Sequence, residues 1–282
     1  MKIYSKNLTR YSVLLIASLL FWACEKETKT PELNYEPWEV MKSFDEGVAG
    51  EVAESSADNF DGAAGYSVYD HTTTYAGKGA AKLHIKKGQE GFGLWGGIVH
   101  FPEHIKNGQH LYLSLAIRIP SDFVVATPGN GSLKFLRLAS EKADGKSNGY
   151  IDMQMVDDEL QAKPAEENPK AFRMLREYQA KWFYYGAPGI LTRDEWHKID
   201  VYVKFDKTLA SEGGQSKIIF WCDGQKIHEE TGIQTILNAG DYFHSLYLFT
   251  YWNGLAPKDQ HLWVDEIKMS TGYPNWAPEI IE

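Results

Sequence analysis

Between Ser245 and Ser270 the chain runs SLYLFTYWNG, a short polar loop APKDQ, then HLWVDEIKMS. Both arms alternate with a period of two, the signature of a β-strand. In the first arm Tyr247, Phe249, Tyr251 and Asn253 fall on one side, and Leu246, Leu248, Thr250 and Trp252 on the other. An aromatic row ending in an amide is a platform for a sugar chain if that side lines a sheet open to solvent. The same period recurs along the chain. Leu111, Leu113, Leu115, Ile117 and Ile119 alternate with Tyr112, Ser114, Ala116 and Arg118 until Pro120 ends the run. AAKLHIKK, SLKFLRLAS, GYIDMQMV, HKIDVYVKFD and SKIIFWC are further strands, and Asp223-Gly224 marks a hairpin turn. Many strands, frequent turn signals and little helix predict an all-β, two-sheet sandwich or jelly roll. Between Asp157 and Arg193 the pattern changes. Phe172, Leu175 and Tyr178 fall at helical spacing, so this stretch reads as an inserted loop with a short helix.

At 282 residues the chain has room for one large domain. Its net charge of −9 excludes a general nucleic-acid surface, and an acidic glycan would need local positive side chains. Residues 1–23 carry Lys2, Lys6 and Arg10 ahead of an apolar run from Tyr11 to Trp22, followed by Ala23-Cys24. This reads as a lipoprotein signal peptide with Cys24 as the lipidated residue. It implies a membrane partner through that lipid and a bacterial outer-membrane location. Residues 24–39 then read as a tether, and 40–282 as the domain. With Cys24 lipidated, Cys222 stands alone and cannot form an intrachain disulfide. In IIFWC it reads as a buried small hydrophobe.

Three stretches resemble the concanavalin A-like jelly-roll proteins, especially their polysaccharide lyase branches: Trp196-His197-Lys198-Ile199 leading into DVYVKF, the hairpin FWCDGQK, and LYLFTYWNG followed by LWVDEIKMST. The opening SFDEG and AGKGAAKLHI are similar to the start of such domains, so the resemblance spans roughly residues 40–272. In alginate-lyase-like members the penultimate strand carries a catalytic Tyr alternating with an amide. Tyr251 and Asn253 match that pattern, with Asn where Gln is commoner. The Lys that often precedes the Tyr is replaced by Phe249 and Thr250, and the family's arginine-rich strand has no clean counterpart.

The resemblance implies β-elimination on a uronic-acid-containing glycan, losing a glycosidic oxygen (a lyase) or water at an oligosaccharide end (a dehydratase). The alternative is a non-catalytic glycan-binding lipoprotein. Elimination needs a neutralised carboxylate, a base and an acid. Tyr251 and His100 are the candidate proton-transfer groups, and Arg137 the candidate carboxylate clamp. His100 follows LWGGIV, whose glycines permit close approach by another chain or a ligand. By strict alternation Arg137 shares its face with Phe135, while Lys134, Leu136 and Leu138 share the other. Tyr150, Asp152 and Gln154 form a polar row opposite Ile151, Met153 and Met155. Candidate substrate-binding residues are Asn253, Gln154, Tyr150, Tyr247 and Trp182, the last with Tyr184 and Tyr185 as an aromatic lip. Glycosidase chemistry fits less well, because no pair of acids alternates on one strand. No cofactor is expected. A structural calcium would be held where Asp45 or Glu46 meets Asp265.

Overall fold

In the computed structural model, residues 33–53, 60, 65–91, 94–127, 131–155, 171–179 and 181–280 are described. Cys24 and the first part of the expected insertion lie outside them. Fifteen strands carry the fold: β1 (Glu39–Lys42), β2 (Ser67–Asp70), β3 (Ala80–Ile85), β4 (Gly97–Ile105), β5 (His110–Arg118), β6 (Ala126–Thr127), β7 (Gly131–Glu141), β8 (Ser147–Met155), β9 (Phe172–Arg176), β10 (Trp182–Tyr185), β11 (Trp196–Lys204), β12 (Lys217–Cys222), β13 (Gln225–Thr231), β14 (Tyr242–Asn253) and β15 (Gln260–Ser270). They form two antiparallel sheets. The first runs β13-β12-β11-β5-β15-β3-β2, with β1 also on β15; the second runs β10-β9-β8-β7-β14-β4, with β6 on β7. Consecutive strands β14 and β15 thus belong to opposite sheets, the crossing that ties a jelly roll together.

Alternation places the core between the sheets. Leu111, Leu113, Leu115 and Ile117 of β5, Ile199, Val201 and Val203 of β11, and Leu246, Leu248 and Trp252 of β14 are all buried there. Phe172 of the second sheet meets Phe220 of the first at 5.0 Å between ring centres. The two faces turned away from the core differ. On the first sheet Tyr112, Tyr202, Ile219 and Trp221 are covered by Tyr273, Trp276, Ala277 and Ile280 of the C-terminal segment. The second sheet's outer face carries the polar row Tyr150, Asp152 and Gln154.

The hairpin at Asp223-Gly224 has φ values of 50° and 76°, the conformation of a two-residue turn matched to strand twist. The expected helix at Phe172–Tyr178 is corrected: Phe172–Arg176 is strand β9, paired with β8 and β10. Phe172 and Met174 are core residues with Arg173 between them, so period two wins over the coincidental helical spacing. Pairing between two strands also satisfies backbone groups that an isolated short helix leaves exposed. The only helical turn among the described residues is the 3₁₀ segment Ala210–Glu212.

The tether boundary also moves. Tyr35 donates its hydroxyl to the carbonyl of Thr271 at 2.7 Å; the Trp38 N–H donates to the Thr271 hydroxyl, the Trp38 carbonyl accepts the Thr271 N–H, and the Trp38 ring packs on Phe101 at 5.4 Å. The folded body therefore begins before residue 40. A chain starting at residue 40 loses both aromatic anchors and is expected to unfold about 2–4 kcal/mol more easily than one starting at residue 33. Denaturant titrations of the two read this directly, and equal midpoints would show that the segment contributes nothing.

Candidate active site

The second sheet's outer face is built by two consecutive bulges. Lys134 faces Gln154 across the β7–β8 ladder and Leu136 faces Met153, so Phe135 is an extra residue in β7. Leu136 also faces Leu248 and Lys134 faces Tyr251, so β14 places two residues, Phe249 and Thr250, against the single Phe135. An extra residue in one strand bends the chain and resets which side chains share a face. Phe135 and Phe249 both turn inward and pack at 5.0 Å. Phe249 takes a positive φ of 54°, and its backbone presses on Gly96, where a Cβ would lie 2.6 Å from the Phe249 carbonyl.

This corrects two expectations. Phe249 leaves the aromatic row and joins the core. Lys134, expected with Leu136 and Leu138 on the side opposite Arg137, stands on the same outer face as Arg137. Strict alternation missed it because it assumed an unbroken ladder.

Residues directly opposite on a ladder share a face, so the register gives the layout. One row runs Ile98, Tyr247, Arg137, Asp152, Leu175 and Trp182. The next runs Tyr251, Lys134, Gln154, Arg173 and Tyr184. Asn253 lies beyond, exposed and opposite Ser132. Its backbone carbonyl closes on Gly131, where an added Cβ would sit 1.4 Å away, so only glycine fits.

Three cations converge on this face. Lys134 is 9% exposed and donates to Asp152 Oδ2 at 2.5 Å. Arg137 is 7% exposed, and its guanidinium lies 3.6 Å from the centre of the Tyr150 ring. Tyr150 in turn meets Tyr247 edge-on at 5.6 Å. Arg137 Nε makes no hydrogen bond, and its carboxylate neighbours are distant: Asp152 at 3.9 Å and Glu177 at 3.7 Å. A nearly buried guanidinium left under-bonded is a ready anion site. Arg173 donates through Nε to Gln154 Oε1 at 2.9 Å and lies 4.5 Å from the Trp182 ring centre.

Gln154 is fully buried. Its amide donates to Asp152 Oδ2 at 2.7 Å and its carbonyl accepts from Arg173 and Ser132. Expected to touch substrate, it instead has its hydrogen bonds taken up by Asp152, Arg173 and Ser132. Burial raises the hydroxyl pKa values of Tyr150 and Tyr247, which suits both as neutral hydrogen-bonding phenols rather than bases. Trp182 backs Arg173, whereas Tyr185 turns into the core and stacks on Phe172 and His228, so it forms no lip.

His100 is exposed on this face opposite Ser245, near His104 and His244. From Ser245 to Tyr251 is roughly 15–20 Å of strand. The structure therefore does not bring His100 to Tyr251, and the two cannot share one proton-transfer site. Gly96 and Gly97 before it admit β14 and the Phe60 ring, so chain packing explains them. Of the residues named for calcium, Asp45 and Asp265 serve as backbone clamps. Asp45 Oδ1 accepts the N–H groups of Lys78 and Gly79, and Asp265 Oδ2 those of Tyr75 and Ala76. Carboxylates aimed at amide donors clamp this loop instead of facing a shared cation.

Two cavities of about 370 and 280 Å³ lie on the first sheet's outer face. In the smaller one, Lys198 is paired with Asp200 and Lys268 with Glu266. The belt on the second sheet's outer face, with its under-bonded Arg137, is the better place for an acidic ligand.

No protein-family model matches the chain, and no curated protein matches it by sequence. Solved structures do match in fold. The endo-β-1,4-glucuronan lyase of the fungus Trichoderma reesei aligns over 86% of this chain and 99% of its own, at 14% identity and a TM-score of 0.54. A mutant of alginate lyase Aly36B in complex with an alginate tetrasaccharide aligns over 86% of this chain and 98% of its own, at 15% identity and a TM-score of 0.52. In architecture this chain is a two-sheet β jelly roll, similar in fold to these two lyases.

Asp152 holds the belt together, since it is fully buried and binds both Lys134 and Gln154. Asp152→Ala strands a nearly buried lysine and is expected to cost about 3–5 kcal/mol in denaturant unfolding. Adding Lys134→Met should recover part of that loss. If the double variant is no more stable than the single one, the pairing is not what Asp152 contributes.

Proposed function

We propose that this protein is a lyase that performs β-elimination on a uronic-acid-containing polysaccharide or oligosaccharide. One observation carries the reading: stacked bulges set Lys134 and Arg137 on the same outer face of the second sheet, with Tyr251 directly across the ladder from Lys134. The sugar carboxylate docks on Arg137 and Lys134, with Arg173 extending the positive row. Tyr251 handles the proton at C5, and Asn253 at the rim binds sugar hydroxyls or the carboxylate. The C5–H and C4–O bonds break, a C4=C5 double bond forms, and a proton ends on the departing oxygen. Negative charge grows on the carboxylate as an enolate-like species develops, so fixed cations stabilise the transition state more than the ground state. The departing group is a glycosidic oxygen, or water where the substrate is an oligosaccharide end. Fold-level likeness to a glucuronan lyase and an alginate lyase supports the substrate class. Lys2, Lys6, Arg10 and the Ala23-Cys24 junction support a lipid anchor at Cys24 and an outer-membrane location.

The test uses protein lacking residues 1–24, incubated with alginate, glucuronan, ulvan and glycosaminoglycans and with their oligosaccharides. Ultraviolet absorbance of the unsaturated uronate product should rise on at least one. Tyr251→Phe should lower kcat roughly 10²–10⁴-fold, the usual worth of a positioned proton-transfer group. Lys134→Ala and Arg137→Ala should each lower kcat/KM, while His100→Ala should leave it within a few-fold. No absorbance rise on any substrate, with binding to one retained, would refute elimination on that panel and favour a glycan-binding lipoprotein.

A further inference from the structure

A second chemical cluster lies at one end of the first sheet. His197 faces Ile117 across β11–β5, and Ile199 faces Cys222 across β11–β12, so His197 and Cys222 both point toward the core side. Asp223 opens the β12–β13 turn beside them. The His197 imidazole is only 5% exposed. Its Nε2 sits 2.9 Å from the Thr192 carbonyl oxygen, which only accepts. The Thr192 hydroxyl lies 3.1 Å from Nε2 and gives its own hydrogen to Glu195, so it too offers Nε2 a lone pair. Nε2 therefore carries hydrogen and Nδ1 is the ring's other nitrogen. Nδ1 lies 2.7 Å from Asp223 Oδ2, another acceptor. Something positive must stand between Nδ1 and Oδ2, either a proton or a metal ion.

A third donor atom converges there. Cys222 Sγ is 3.8 Å from the same Oδ2, and all three ligand atoms lie within 4.8 Å of one another. A histidine that gives one ring N–H to a backbone carbonyl and turns the other nitrogen to a site is oriented as metal-binding histidines are. Asp223 is steadied too, because Oδ1 accepts the Lys198 N–H at 2.8 Å.

We propose that His197 Nδ1, Cys222 Sγ and Asp223 Oδ2 bind a divalent transition metal, with zinc the best fit and water as the fourth ligand on the solvent side of Asp223. Tetrahedral zinc at its usual bond lengths needs ligand separations of about 3.3 Å for N···O and about 3.6 Å for S···O. The sulfur is already near that spacing. The nitrogen–oxygen gap must open by roughly half an ångström, which the half-exposed Asp223 side chain accommodates. The ion displaces two protons, one from the thiol and one from between His197 and Asp223. A thiol and an imidazole must give up protons to bind a metal, so affinity falls as pH falls. Bound there, the ion clips the hairpin to the loop before β11.

Cobalt(II) added to the chelator-treated full chain tests this. The expected result is one equivalent bound, with thiolate-to-cobalt charge-transfer absorption in the near ultraviolet, displaced by zinc chloride. Zinc alone should raise the melting temperature. Cys222→Ser should abolish the absorption, and Asp223→Asn should weaken binding roughly tenfold or more. Absence of the charge-transfer band in the native chain, or its survival in Cys222→Ser, would overturn the site. If circular dichroism shows Cys222→Ser unfolded, Asp223→Asn decides, and unchanged cobalt affinity there overturns the proposal.

Discussion

Two stacked bulges decide which side chains meet on the second sheet's outer face. Phe135 in β7 and the Phe249-Thr250 pair in β14 are additions to otherwise regular ladders. Between matched rows, β8 spends two residues, from Asp152 to Gln154; β7 spends three, from Lys134 to Arg137; β14 spends four, from Tyr247 to Tyr251. Without a bulge at Phe135, Lys134 and Arg137, three residues apart, would point to opposite faces. With it, both cations join Tyr251 and Tyr247 outside, and the cost of breaking the ladder is offset by two phenylalanine rings packed in the core.

The electrostatics follow from that geometry. The chain is acidic overall, yet the belt gathers Lys134, Arg137 and Arg173 against the fully buried Asp152 and the half-buried Glu177. Burying cations is costly unless each is paired, and here the pairing is unequal. Lys134 has a short bond to Asp152, Arg173 leans on Gln154 and Trp182, and Arg137 keeps an Nε without a hydrogen bond. The under-bonded group is where an external carboxylate gains most. On the opposite sheet the C-terminal segment packs Tyr273 and Trp276 over the aromatic patch.

Much of the candidate site was legible in the sequence, and each miss has its own physical cause. Tyr251, Asn253, Arg137 and the row Tyr150, Asp152 and Gln154 were found by alternation or by resemblance, and all lie on the second sheet's outer face. Lys134 was assigned to the wrong side because the reading assumed unbroken strands. Two large apolar residues in succession, Phe135-Leu136 and again Leu248-Phe249, are the signal that could have revealed the bulges. His100, a candidate base by its sequence setting, lies opposite Ser245 and far along β14 from Tyr251, since strand parity carries no information on distance between rows. The role of Gln154 was misjudged because pattern shows which side a residue faces, not whether neighbours already use its hydrogen bonds.

The sequence by itself determined that this chain is all-β, where most strands lie, which turn closes the β12–β13 hairpin, and that its sandwich is of the jelly-roll type. Those properties are local, set by period-two burial and turn chemistry along one segment at a time. Only the tertiary structure decided the helix-like stretch at Phe172, which became a strand once β8 offered it a partner. It also decided which cations meet Tyr251, and it gathered His197, Cys222 and Asp223 at one sheet end. Ladder register across separate strands sets these juxtapositions, and register depends on the whole fold.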